Sequence, residues 1–279
     1  MDIAAERNGV MSNRKRMPTA LIILVLVFLS IQYLPRPLFF LLNQVLIGAA
    51  LVEFYNLARR KSMFPQTLIG LAMAFIIGLS FYFSIFTLEM AVFVCLVLGG
   101  TYSLLSIREV EGLVRFPAAV SVTFFGAVYL GLTMNFFLWL RDDWGPFYIY
   151  FMLTVIVIGD TGAYFVGRYF GRCKMAPLAS PKKTWEGAAA GIVTACLGGA
   201  AAQQLILRDT RLWKAVLFAF LIHLVAQVSD PVESLFKRAA GVKDSSNMLP
   251  GHGGFLDRID SQLFAAPLFY YLLRFIGMR

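Results

Sequence analysis

The stretch Asp230–Asp260 reads DPVESLFKRAAGVKDSSNMLPGHGGFLDRID. It is the one long segment of the chain that cannot lie in a membrane. Nine of its residues are charged: Asp230, Glu233, Lys237, Arg238, Lys243, Asp244, Asp257, Arg258 and Asp260. Carboxylates able to hold a hard cation therefore share the segment with Lys and Arg able to hold phosphate. Pro250, Gly251, Gly253 and Gly254 bracket His252, a backbone free enough to turn several N–H groups toward one anion. At the front, Asp230-Pro231-Val232-Glu233 has the spacing of a helix N-terminus with proline at the first position, so a span is expected to end at Asp230 and a helix to start there. At the back, Asp257 and Asp260 stand three apart where the next helix begins, which puts both carboxylates on one helix face. Such a pair suits Mg²⁺, which takes one or two carboxylates and keeps positions for water and phosphate.

Outward from this stretch the chain turns apolar. Of its 279 residues 59% are hydrophobic and 15% charged, with a mean hydropathy of +0.72, whereas a soluble domain carries about 25% charged residues. The composition is that of a polytopic, all-α membrane protein with one membrane domain and little material for a soluble one. The net charge of +9 raises the question of nucleic acid, but the basic residues fall between apolar runs. Orientation and anionic lipid headgroups account for them there, and no nucleic acid is expected. Cys95, Cys173 and Cys196 lack metal-ligand spacing and are assigned no function.

Nine apolar windows follow one another, at 18–34, 38–57, 64–84, 88–106, 117–140, 146–167, 186–207, 211–229 and 261–277. The first is longer than a signal-peptide core, and Pro35-Arg36-Pro37 is a poor cleavage site, so it is read as an uncleaved span. With the N-terminus inside, 18 of the 25 Lys and Arg fall on inner segments and 7 on outer ones, which gives N-in and C-out by the positive-inside rule. The loops 168–185 and 230–260 then face the cytoplasm. The organisation expected is a polar N-terminal segment (1–17), N-terminal transmembrane helices (18–150) and a C-terminal catalytic transmembrane region (151–279) with a signature at 230–261.

Within the spans, polar residues concentrate late. Asp160 sits in an apolar helix with Thr161, Tyr164 and Arg168 after it, and an acid there is either structurally paired or functional. Glu53, near the inner end of the second span, is read as reaching the interface. His223 and Gln227 form a polar stripe toward Asp230, and Gly187 and Gly191 a small-residue packing face. In Ser180-Pro181-Lys182-Lys183-Thr184, Ser180 or Thr184 suits a helix N-cap with Pro181 in the first turn, while Lys182 and Lys183 beside free N–H groups suit a phosphate. No nucleophile–base pair and neither common nucleotide loop is present. A reaction whose nucleophile is already an anion, phosphate attacking phosphate, needs neither, since positioning and charge neutralisation supply most of its catalysis.

These residues resemble a family. Ser234–Asp260 carries S-x-x-K-R, K-D and H-G-G-x-x-D-R-x-D, the signature of the phosphatidate cytidylyltransferases (CDP-diacylglycerol synthases); Asp160–Arg168 matches D-T-G-A-Y-F-x-G-R and Ser180–Gly187 matches S-P-K-K-T-W-E-G. The resemblance is specific over residues 155–279 and extends to the first 150 only in hydropathy. One departure is Ser229-Asp230-Pro231-Val232-Glu233-Ser234, where the family reads G-D-L-x-E-S.

The resemblance implies Mg²⁺-dependent synthesis of CDP-diacylglycerol and pyrophosphate from CTP and phosphatidic acid, on the cytoplasmic side of a bacterial inner membrane. It leaves open a second cation and a homodimer. It further implies metal on Asp230, Asp257 and Asp260, with Lys237 and Arg258 joining them in catalysis. Substrate contacts would come from Asp160, Ser180, Lys182, Lys183, Arg238, Lys243, Asp244, His252, Gly253 and Gly254. The alternatives are a CTP-dependent enzyme acting on another lipid phosphate or a polyprenol, and a transporter of anionic substrates. A transporter predicts midplane polar residues in both halves of the chain, whereas here they cluster late.

Overall fold

The computed structural model describes residues 24–246, 248 and 253–276. Its backbone is nearly all helix: α1 (Leu24–Tyr33), α2 (Arg36–Arg59), α3 (Thr67–Tyr82), α4 (Leu88–Ser106), α5 (Val110–Trp139), α6 (Pro146–Phe170), α7 (Trp185–Leu205), α8 (Leu212–Ala239) and α9 (Leu256–Ile276). One π-helical turn, Leu140–Trp144, follows α5. Six of these segments are long and apolar enough to cross a membrane: α2, α4, α5 with its π turn, α6, α7 and α8. Each apolar window of the sequence is occupied by a helix, although part of the first lies outside the described residues. Many large apolar side chains point outward, as in Leu68, Leu104 and Phe275, the surface expected where the solvent is lipid rather than water.

Among the described residues, the structure departs from an all-α chain at one paired hairpin. Between α6 and α7, β1 (Lys174–Ala176) and β2 (Ser180–Thr184) pair antiparallel, with Lys174 opposite Thr184 and Ala176 opposite Ser180. Ser180 and Pro181 therefore lie in a strand and cap no helix. Thr184 is the cap of α7, its Oγ1 accepting the Gly187 N–H at 3.2 Å, an interaction worth about 1 kcal/mol. The base of the hairpin is closed by Trp185 N–H donating to the Cys173 carbonyl and by the Cys173 N–H donating to the Glu186 carboxylate at 3.1 Å.

A second correction concerns α8. The helix does not end at Asp230 but continues to Ala239 with Pro231 inside it. Proline removes only the bond to the Gln227 carbonyl, and nine residues after Asp230 remain helical, which carries Glu233, Ser234 and Lys237 round into the interior.

Two packed groups meet. α6 lies along α7, and α7 along α8, while α3 packs on α5 and α2 touches α3, α5 and α9. The α6–α7 approach needs glycine: a Cβ on Gly187 would lie 2.8 Å from the Ala163 carbonyl oxygen. At the end of the bundle away from the hairpin, Arg36 pairs with Asp142 at 2.7 Å and the Tyr270 hydroxyl donates to Asp143 at 2.7 Å. The hairpin end gathers the C-terminal ends of α2, α6 and α8 with the N-terminal ends of α7 and α9, and the site lies there.

Candidate active site

A pocket of about 800 Å³ opens among α6, the hairpin, α7 and α8. α6 contributes Asp160, Tyr164 and Arg168 to its wall, the hairpin Lys174, Lys182 and Lys183, and α8 Gln227 and Asp230. The near-helical spacing of Asp160, Tyr164 and Arg168 explains their shared face; the Arg168 guanidinium donates to the Tyr164 hydroxyl at 3.0 Å. β2 sends Lys183 inward, where its ammonium meets Asp230 Oδ2 at 2.8 Å, both side chains keeping 28% exposure. Asp230 Oδ1 also accepts from the Ser234 hydroxyl at 3.3 Å. Gln227 is held by donating to the Ala188 carbonyl at 2.9 Å. Four cations thus face two carboxylates across a cavity large enough for a polyphosphate.

Behind the pocket lies a drier cluster. Lys237 is buried, and its ammonium stands 2.5 Å from both Glu233 Oε2 and Asp257 Oδ1. Asp257 Oδ2 accepts from the Ser245 N–H, the Ser245 hydroxyl and the Gly254 N–H, each at 2.9 Å. Burial works to raise the Asp257 carboxyl, but the Lys237 ammonium and the N–H groups of Ser245 and Gly254 outweigh it and hold the group below the usual carboxylate range. Gly253 takes φ +78°, a turn glycine tolerates without strain. Ser245 and Ser246 then meet Glu53 from α2, which also accepts the N–H groups of Phe255 and Leu256.

Asp260 joins the two clusters. It lies near the start of α9, ahead of that helix's apolar stretch, and its backbone carbonyl accepts from the Ser229 hydroxyl. Burial first, then the negative charge of Asp230, pushes its carboxyl up to about 7, with Lys237 and Lys183 opposing. Asp230 and Asp260 are near enough for the charge of one to act on the other, and these two carboxylates would be the residues to hold a hard cation such as Mg²⁺. Asp257, three residues earlier, is instead saturated by Lys237, Ser245 and Gly254, and no cluster of three metal-binding side chains is found among the described residues.

The sequence-derived residues therefore divide. Asp160, Lys182, Lys183 and Asp230 line the pocket; Lys237 and Asp257 form the buried pair, with Asp260 between. Arg238 donates to the Ala179 carbonyl at 3.2 Å and the Val242 carbonyl at 3.0 Å, tying the hairpin to the end of α8. Ser180 is half-buried at the start of β2, Gly254 is buried, and Lys243, Asp244 and Arg258 are exposed. His252 lies outside the described residues. Sequence reading missed the part played by Glu233, although its four-residue step to Lys237 is a helical ion-pair spacing. It took Glu53 for an interfacial acid, and nothing local to Glu53 could have shown that it is 2% exposed and bonded to residues about two hundred positions away. His223 is fully buried against Gly159 and Gly191.

Taken together, the fold and site define a helical membrane protein with a pocket lined by basic and acidic side chains at one end of its helices. Residues 14–276 match the cytidylyltransferase family, and the chain belongs to that family. It is 35% identical over 260 residues to the phosphatidate cytidylyltransferase of Bacillus subtilis (strain 168), a match covering 90% of this chain and 94% of that protein. It is 41% identical over 145 residues to the phosphatidate cytidylyltransferase of Staphylococcus epidermidis (strain RP62A), covering 52% of this chain and 55% of that protein. Against the Haemophilus influenzae protein of the same name it is 38% identical over 136 residues, 47% of each chain.

Proposed function

We propose that the chain transfers the cytidylyl group of CTP to phosphatidic acid, giving CDP-diacylglycerol and pyrophosphate. The observation that carries this reading is the pocket in which Arg168, Lys174, Lys182 and Lys183 face Asp160 and Asp230 at the ends of apolar helices. A phosphate oxygen of the lipid attacks the α-phosphorus of CTP, the bond from that phosphorus to the α–β bridging oxygen breaks, and pyrophosphate leaves with the electron pair. The nucleophile is already an anion, so no general base is required, in keeping with the lack of a nucleophile–base pair. Lys183 is placed to exchange Asp230 for a phosphate oxygen, and Lys182, Lys174 and Arg168 to neutralise the rest of the chain of phosphates. Mg²⁺, held by Asp230 and Asp260, supplies charge neutralisation on the phosphoryl oxygens when bound. Asp257 and Lys237 keep the floor of the site rigid from behind.

In the same reading the nine helices each cross or enter the bilayer, with the N-terminus and the hairpin end in the cytoplasm, where CTP is. A diacyl substrate reaches the pocket from the bilayer while the nucleotide comes from water. The deciding experiment is incorporation of labelled CTP into lipid by the purified protein with phosphatidic acid, an ether-lipid phosphate and a polyprenol phosphate offered in parallel. Turnover only with phosphatidic acid is expected; preference for another acceptor would reassign the substrate. For sidedness, Cys173 is exposed beside the hairpin whereas Cys95 is buried. A membrane-impermeant thiol reagent is expected to label Cys173 in inverted vesicles and not in intact cells, with a Cys173→Ser control. The reverse pattern would turn the topology over.

A further inference from the structure

We infer that Glu53, supplied by α2 from outside the C-terminal half, is a positioning residue for the cytidylyl transfer: it fixes the segment that carries Asp257 and, through Asp257, the ammonium of Lys237. The inference rests on the assignment of that segment to the active site.

A carboxylate 2% exposed inside a helical membrane protein is costly unless donors surround it. Glu53 has four. Oε1 accepts from the Ser246 hydroxyl at 2.6 Å and the Phe255 N–H at 3.0 Å; Oε2 accepts from the Ser245 hydroxyl at 2.8 Å and the Leu256 N–H at 2.9 Å. Two of these donors precede the Pro250–His252 stretch and two follow it, so a single carboxylate ties both flanks of the signature to α2. The N–H groups of Phe255 and Leu256 belong to the start of α9, where backbone donors have no partner within the helix. Glu53 caps them from another helix, and the charge sign suits the helix N-terminus.

The consequence for the site passes through Ser245. Its hydroxyl lies 2.8 Å from Glu53 Oε2 and 2.9 Å from Asp257 Oδ2, and with one proton it donates to one carboxylate at a time. Its N–H donates to Asp257 as well. Glu53, Ser245, Asp257 and Lys237 thus form one connected row from α2 to α8. Gly254 completes the fit, since a Cβ there would stand 2.6 Å from Glu53 Oε2. A helix that served only to fill space would present an apolar residue at position 53; the acid is matched to four donors that exist only because the signature folds against it.

The test compares wild-type protein with Glu53→Gln, Ser246→Ala and Asp257→Asn, all purified in detergent. Rates of CTP incorporation are measured alongside hydrogen exchange at individual segments. Gln keeps one acceptor oxygen and turns an NH₂ toward two donors, so Glu53→Gln is expected to lower kcat by about tenfold or more with the KM for phosphatidic acid unchanged. Exchange should quicken at 245–246 and 254–257 while the body of α2, α5 and α8 stays protected. Ser246→Ala removes one donor at a half-buried position and should lower kcat by about threefold with the same local pattern. Wild-type kcat in Glu53→Gln overturns the inference. So does faster exchange spread over all helices, combined with a normal kcat in Ser246→Ala, because the acid then serves only the fold. The assignment of the segment fails separately: Asp257→Asn turning over at the wild-type rate would remove the segment from the active site, whereas an inactive Asp257→Asn beside a fully active Glu53→Gln removes only Glu53.

Discussion

Lys183 and Lys237 each sit among carboxylates at the same end of the bundle, yet their surroundings differ. Lys183 stands on a strand at the pocket wall, 28% exposed like its partner Asp230. Lys237 lies inside α8, 8% exposed, between Glu233 at 1% and Asp257 at 6%. An ion pair open to water contributes little to stability and can be traded for another anion at small cost. A buried one cannot give up a partner without leaving a charge stranded. In the proposed reading, the difference separates a lysine free to trade its carboxylate for phosphate from a lysine that holds the site in shape.

The largest effect that would test this contrast is expected from Lys237→Met. It leaves two buried acids without their cation and should destabilise the protein by about 3–5 kcal/mol, with turnover abolished. Thermal unfolding in detergent checks it. Adding Glu233→Gln to Lys237→Met should recover part of the stability and none of the activity; recovery of both would mean that Lys237 is only a counter-ion. Lys183→Met should be nearly the inverse, with kcat/KM for CTP lowered by about a hundredfold and stability changed by less than about 1 kcal/mol. A fall in melting temperature matching that of Lys237→Met would erase the distinction. Lys182→Met, at the pocket wall without a carboxylate partner within 4 Å among the described residues, should be mildest, about tenfold in kcat/KM for CTP with unchanged melting. An effect on the KM for phosphatidic acid alone would instead assign Lys182 to the lipid phosphate.

How far the sequence revealed this arrangement depends on the range of the interactions. The helices were legible because membrane length and apolarity are written locally, and each window overlaps a helix among the described residues, although α5 begins seven residues earlier than its window and α8 runs ten residues past its own. Lys182, Lys183, Asp160 and Asp230 were legible as charges at or inside the ends of apolar spans, where capping, pairing or orientation offered a structural account beside the functional one. The hairpin was not, because strands of three and five residues rich in lysine carry no alternating apolar pattern and their Ser-Pro and Thr residues are also capping residues. The course of α8 was misread because proline after an acid is a frequent helix start, and only the burial of Glu233, Ser234 and Lys237 reveals that packing outweighed the lost hydrogen bond. The separate settings of Asp257 and Asp260 follow from what each meets across space, Lys237 and Ser245 for one and Asp230 for the other, which a three-residue step cannot tell.

The bonds to Glu53 also set an order of events while the chain is being made. Its acceptor oxygens belong to the second helix, and the Phe255 and Leu256 donors come 202 and 203 residues later. At a synthesis rate of about 5–20 residues per second, α2 enters the bilayer about 10–40 s before those donors exist. Over that interval the acid must be served by interfacial water, because hydrocarbon offers it nothing. Emergence of the signature then withdraws the acid from water, so a segment made about two hundred residues later completes a joint that α2 has prepared.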